Sequence, residues 1–141
     1  MAKRFARSIK AAIVSRAKGL CEYCLCPMAF STNNFSIEHI IPSALGGTDE
    51  LHNLALACQG CNGCKYTKVE VPDPVSGQTV PLYHPRLDTW NEHFTWSEDF
   101  LSVLGLTSTG RATVAALHLN RQSVMNLRYA LLKIGQHPPG N

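Results

Sequence analysis

The spacing of apolar residues predicts a helix at the start of the chain. Phe5, Ile9 and Ile13 recur on one face at the helical period within residues 4–18, and Gly19 follows as a typical stop. We expect this helix to pack beneath the cysteine pairs that follow it.

A β-hairpin and a short helix are predicted next. Residues 35–41 are rich in β-branched and aromatic side chains and end at Pro42, which indicates a strand. A loop at Gly46-Gly47 separates it from a second strand over residues 54–57. A short helix is predicted within residues 58–68.

The rest of the chain divides into an extended segment and a helical one. Residues 71–88 contain four prolines, which predicts a turn-rich wrap with little regular structure. Thr109 is the predicted cap of a helix over residues 113–119. A last helix has an apolar stripe at Val124, Leu127, Leu131 and Ile134, and residues 137–140 predict a frayed tail. Four aromatic residues are assigned to the core: Trp90, Phe94, Trp96 and Phe100.

The size and hydropathy of the chain predict one domain. With 141 residues, of which 45% are hydrophobic, the chain is long enough for one compact unit. We assign residues 1–141 to it, with a motif core at about 20–68 and an extension over 69–141. No apolar run approaches the roughly 18 residues of a membrane span, and the basic start does not resemble a secretory signal. A cytoplasmic protein is therefore expected.

The charges are unevenly distributed. Residues 1–20 contain basic side chains and no acid, and the same is true after Asp99, whereas all 10 acidic residues lie between Glu22 and Asp99. Basic flanks around an acidic centre suit a protein that binds a polyanion and holds metal cations. Solvated helix faces explain the same pattern about equally well.

Two C-x2-C pairs point to a zinc site. The pairs are Cys21/Cys24 and Cys58/Cys61, and four thiolates are the usual tetrahedral ligand set of a structural Zn2+ ion. Disulfides are the alternative, which a reducing cytosol disfavours. Cys26 and Cys64 are left over, and Cys64 is an alternative to Cys61 because it also ends a C-x2-C pair.

The polar residues between these cysteines suit phosphodiester hydrolysis. His39 is a candidate base, since an ordinary imidazole is largely neutral at pH 7. Glu38 and Asn62 offer oxygen ligands to a hard divalent ion such as Mg2+ or Mn2+. Asn53 is expected to hold the hairpin loop by side-chain hydrogen bonds. Lys65 lies one helical turn after Asn62, where a phosphate contact is predicted.

These residues closely resemble the HNH endonuclease family, of the stand-alone bacterial or phage type with two C-x2-C knuckles. The resemblance rests on Glu38-His39, Gly46-Gly47, Asn53, and the run from Cys58 to Lys65. It implies an α+β fold, with a ββα-metal core, a zinc knuckle, an N-terminal helix and a helical C-terminal extension. Parts of residues 81–113 also look like the extension of stand-alone members.

The resemblance also implies the roles of individual residues. By position, His39 is the general base, Asn53 is the loop asparagine, and Glu38 and Asn62 hold the divalent ion. Asn62 stands where the family name has its second histidine, which favours oxygen-preferring metals. Since neighbours on a flat strand face opposite ways, we expect strong twist or a bulge to bring Glu38 and His39 to one metal.

The predicted activity is metal-dependent hydrolysis of DNA, with RNA as a possible substrate. Lys65, Lys68, Arg86 and Arg111 are the predicted phosphate contacts, although a salt bridge to Asp88 or Glu92 is an alternative for Arg86. His84 and His93 are assigned mainly to packing, and His118 and His137 to the surface.

Two other functions remain open. One is a nucleic-acid-binding module that is held by zinc and has no turnover, and the other is an interaction domain that docks a partner through its C-terminal helices. Strand preference, sequence specificity and oligomeric state do not follow from the sequence.

Overall fold

The computed structural model describes residues 5–140. The predicted basic residues Lys3 and Arg4, and with them the predicted start of the first helix at residue 4, lie outside the described residues. The helices are α1 Arg7–Arg16, α2 Gln59–Lys65, α3 Trp90–His93, α4 Ser108–Ala116 and α5 Gln122–Lys133. The strands are β1 Ser36–His39, β2 Leu54–Ala57, β3 Glu70–Pro72, β4 Thr79–Pro81, β5 Phe94–Trp96 and β6 Val103–Gly105. The predicted α+β class is confirmed.

The centre of the chain forms the predicted hairpin followed by a helix. Strands β1 and β2 pair antiparallel in continuous register from Ser36 opposite Ala57 to His39 opposite Leu54. All four residues of β2 are buried, whereas in β1 only Glu38 is buried and the other three residues are half-buried. Helix α2 follows β2 directly, because Cys58 is extended and accepts the backbone N–H of Cys61 on its sulfur.

Helix α1 packs on the hairpin rather than beneath the cysteines, so the expected packing was wrong. Ile13 is fully buried with Leu54 and Leu56 of β2, and Phe5 and Ile9 pack around them. These residues form a small, separate core. One face of the two-stranded sheet is large enough to cover the apolar face of this short helix. Arg16 fixes the end of α1 by donating to the carbonyl oxygens of Leu51 and Leu54.

The larger core contains the cysteines and the C-terminal half of the chain. It includes Tyr23, Tyr83, Phe94, Val103 and Leu117, all buried. Helix α4 covers β6 and also contacts β3 and β4. The segment after residue 68 therefore packs against the part of the chain that carries the cysteines and shares one core with it. Within the described residues, no helix is long and apolar enough to cross a membrane.

The structure corrects several local predictions in this segment. The proline-rich wrap contains a hairpin, β3–β4, and a third hairpin, β5–β6, follows it. Thr107 rather than Thr109 caps α4, accepting the backbone N–H of Gly110 at 3.0 Å. Phe100 is 41% exposed, so its assignment to the core was wrong. His137 is buried against Trp96, and its ring is hydrogen-bonded to the Phe100 carbonyl, so this part of the tail is anchored.

Candidate zinc cluster and catalytic cleft

Four cysteine sulfurs converge in the larger core. The ligand atoms of Cys21, Cys24, Cys58 and Cys61 all lie within 4.8 Å of one another, and all four residues are buried. Cys21 and Cys24 are held in a tight turn, in which the Cys21 N–H donates to the Cys26 carbonyl and the Leu25 N–H donates to the Cys21 carbonyl. Cys58 and Cys61 occupy the start of α2. This is the predicted cluster; Cys26 and Cys64 are not part of it.

The spacing of these sulfurs fits a tetrahedral zinc ion. Zn–S bonds of about 2.3 Å place neighbouring sulfurs about 3.8 Å apart in a tetrahedron. The sulfurs of Cys24 and Cys58 are 3.7 Å apart, which also excludes a disulfide, and all six cysteines are free. Burial raises the pKa of the Cys21 thiol well above its ordinary value, so the buried thiolates need a cation to balance their charge.

His39 lies at the end of β1, in the wall of an open cleft. Its side chain is 20% exposed, and its Nε2 atom is 2.7 Å from Oδ1 of Asp49. The cleft has a volume of about 990 Å3 and is lined by His39, Asp49 and Asn62, with Lys10 and Tyr66 among the other lining residues. His39 is therefore accessible to a substrate while its ring is held by a carboxylate.

Asn53 fixes the loop that carries Asp49. Its Oδ1 atom accepts the backbone N–H of Ile41 at 2.9 Å, and its Nδ2 atom donates to the carbonyl oxygens of Ile41 and Thr48 at 3.0 and 2.8 Å. Gly47 leaves room for this arrangement, because a Cβ atom there would lie 1.7 Å from the Ile41 carbonyl oxygen. The loop-holding function expected of Asn53 agrees with these contacts.

Glu38 is buried, although it is one of the residues that line the cleft. It is 4% exposed, accepts the hydroxyl of Tyr23, and forms an ion pair with Lys65, whose Nζ atom is 3.0 Å from Oε2. Burial raises the pKa of Glu38 despite the nearby Lys65 ammonium. The β1–β2 register is continuous and contains no bulge, so of the two expected features, strong twist or a bulge, the bulge is absent.

Lys65 is a structural residue in this arrangement, which corrects the predicted phosphate contact. It is 1% exposed, and its ammonium also donates to the carbonyl oxygens of Ile40 at 2.8 Å and His39 at 3.2 Å. It ties α2 to the strand that carries His39. From sequence alone, a lysine on a helix is predicted to lie on the surface. The buried carboxylate with which Lys65 pairs becomes its neighbour only in the folded structure.

We expect Lys65→Met to destabilise the zinc-loaded protein by about 3 to 5 kcal/mol, because it leaves the Glu38 carboxylate buried without its counter-charge. Urea unfolding measures this loss. The double variant Lys65→Met/Glu38→Gln removes the unpaired charge and should recover part of the stability. A Lys65→Met protein as stable as wild type would contradict this assignment.

Two predicted phosphate contacts are also engaged with acids. Arg86 forms an ion pair with Glu22, not with Asp88 or Glu92, and burial lowers its pKa to about 10. Arg111 donates through Nε and Nη2 to the carboxylate of Asp73, at 3.1 and 2.9 Å, and these hydrogen bonds lower the pKa of Asp73. Both arginines therefore stabilise the wrap through ion pairs. Arg86 is mostly buried, whereas the Arg111 side chain is 34% exposed, so a phosphate contact by Arg111 stays a prediction.

Lys68 differs from these residues because it is exposed, with its ammonium against the Cys64 carbonyl at 2.9 Å. It remains a candidate phosphate contact.

The sequence interpretation missed Asp49 and Arg121. Asp49 contacts His39, and Arg121 contacts the cysteine sulfurs. Asp49 lies ten residues after His39, and Arg121 lies sixty residues after Cys61. No local sequence pattern indicates either contact.

Residues 21–68 match a family model described as HNH endonuclease. The match covers about a third of the chain and spans both cysteine pairs, the hairpin and α2. No curated protein matches the chain.

Proposed function

We propose that the protein is a nuclease that hydrolyses phosphodiester bonds in DNA with a divalent metal ion, since residues 21–68 match the family model of HNH endonucleases. One observation supports this most strongly. His39 lies in an open cleft with Asn62, and its ring is held by the Asp49 carboxylate at 2.7 Å. A histidine that served only to pack the core would not need this arrangement.

His39 acts as the general base in this proposal. An ionised carboxylate only accepts hydrogen bonds, so Asp49 favours the tautomer in which Nε2 carries the proton. The lone pair of the ring then resides on Nδ1, where it can take a proton from the attacking water. Asp49 positions the ring and stabilises the imidazolium that forms.

Asn62 and Glu38 are the proposed ligands of a catalytic Mg2+ or Mn2+ ion. When bound, this ion supplies positive charge for the phosphate and the leaving oxygen. Asn62 lines the cleft with a neutral amide oxygen. Glu38 also lines it, and each of its oxygens retains a lone pair beyond the contacts with Tyr23 and Lys65. The four cysteines are proposed to hold a separate, structural Zn2+ ion.

Lys68 and Lys10 are the proposed contacts to the nucleic-acid backbone. Lys10 projects from α1 and lines the cleft, and both lysines are exposed. We expect Lys68→Gln to weaken DNA binding equally for different sequences and to reduce the slope of log affinity against log salt by about 1. Binding measured by fluorescence anisotropy at several salt concentrations tests this. An unchanged slope would remove Lys68 from the interface.

Supercoiled plasmid incubated with the zinc-loaded protein tests the proposed activity. Relaxed or linear DNA is expected with Mg2+ or Mn2+, and intact plasmid with excess chelator for these ions.

The second candidate function is a nucleic-acid-binding module without turnover. The buried ion pair of Glu38 with Lys65 favours it. Tight binding without cleavage under every divalent metal would support it.

A further inference from the structure

The guanidinium of Arg121 lies against two of the four clustered sulfurs. Its Nη2 atom donates to Sγ of Cys58 at 3.3 Å, and its Nη1 atom donates to Sγ of Cys61 at 3.6 Å. Arg121 is half-buried and immediately precedes α5. The C-terminal extension therefore places a positive charge directly against two sulfurs of the cysteine cluster.

The surrounding backbone holds the guanidinium in this orientation. Nη1 also donates to the carbonyl oxygens of Leu117 and His118 at 3.4 and 3.1 Å, at the end of α4. A guanidinium stays protonated in proteins. Arg121 is thus a fixed positive charge beside the sulfurs.

The charge of a tetrathiolate site explains why such a residue is useful. Four thiolates around one Zn2+ ion leave two negative charges in a buried environment, where uncompensated charge is unfavourable. Hydrogen bonds from a cation to the thiolates reduce this charge and hold the sulfurs in the orientation that binds the ion. Arg128 is nearby, but its hydrogen bonds go to Asn120 and to the carbonyls of Leu101 and Leu119.

We propose that Arg121 is a positioning residue of the zinc site, which holds the thiolates of Cys58 and Cys61 through N–H···S hydrogen bonds and slows the loss of the ion. This inference rests on the proposed structural zinc. It makes zinc retention by the HNH domain depend on the C-terminal extension.

Two glycines of α2 provide a matched test. A Cβ atom on Gly60 would lie 2.5 Å from Nη2 and 2.7 Å from Cζ of Arg121, so Gly60→Ala should push the guanidinium off the sulfurs. A Cβ atom on Gly63, in the same helix, meets nothing within 4 Å. Both changes replace a glycine of α2 by alanine, so the difference between the two variants reports chiefly on the contact with Arg121.

The rate of zinc release from the zinc-loaded full-length chain is the measurement, with excess chelator and a coloured zinc indicator. Gly60→Ala and Arg121→Gln are expected to release zinc about tenfold faster than wild type, and Gly63→Ala at the wild-type rate. Equal rates for Gly60→Ala and Gly63→Ala would overturn the inference while leaving the zinc site intact. Wild-type protein purified from cells without zinc would overturn both.

Cobalt substitution separates this role from a purely structural one. Hydrogen bonds lower the energy of the sulfur lone pairs, so in Arg121→Gln the sulfur-to-Co2+ charge-transfer bands should move to lower energy. Arg121→Lys, which keeps the charge, should restore part of the shift. If Arg121 only supported the corner between α4 and α5, the bands of folded Arg121→Gln would stay at the wild-type position.

Discussion

Cys58→Ser is expected to leave the protein unfolded as well as inactive. Cys58 supplies one of the four clustered sulfurs, and the same sulfur caps α2 by accepting the Cys61 N–H. Zinc binding in small zinc domains is worth roughly 10 to 16 kcal/mol, which is as large as the roughly 5 to 15 kcal/mol total stability of an ordinary domain. Circular dichroism and zinc analysis of the purified variant measure the two losses.

Cys64→Ser is the matched control for this change. Cys64 also lies in α2 and is partly buried, but it is not part of the sulfur cluster. The control should bind one zinc ion per chain and show the wild-type spectrum. A folded, zinc-loaded and active Cys58→Ser protein, or a Cys64→Ser protein that loses zinc, would refute the proposed ligand set.

His39→Ala is expected to reduce the single-turnover cleavage rate by about 100- to 10,000-fold without unfolding the protein. The imidazole is partly exposed in the cleft, so its removal leaves no large buried cavity.

His52→Ala is the control for the loss of a histidine in this region. His52 lies between β1 and β2, in the segment that also carries Asp49, with its side chain 71% exposed and paired with Glu50. It should cleave DNA at the wild-type rate. If His39→Ala retained the wild-type rate of cleavage, another group would have to be the base.

The sequence was sufficient for the parts of the fold that depend on local pattern. The apolar run over β2, the helical period of α1 and the C-x2-C spacing are short-range signals, and the hairpin and sulfur cluster follow from them. The hairpin β3–β4 was missed, because Pro72 and Pro81 disfavour strands in general but are tolerated at the ends of edge strands.

The orientations of charged side chains were the least predictable part. Lys65, Arg86 and Arg111 each resemble a phosphate contact in sequence, yet each is drawn to a carboxylate from a distant segment. Tertiary packing determines which acid each of these basic side chains meets, and the spacing of residues along the sequence does not reveal it. The same reason explains why Asp49 and Arg121 were not recognised as neighbours of His39 and the cysteines.

A crystal of zinc-loaded protein with a short DNA duplex and Mn2+ tests the central claim most directly. Anomalous scattering should place one manganese ion in the cleft, bound to the Asn62 side chain and to the scissile phosphate, with the Nδ1 atom of His39 facing the water to be activated. A duplex bound in the cleft with no manganese between Asn62 and the phosphate, or with His39 turned away from it, would contradict the proposed hydrolysis.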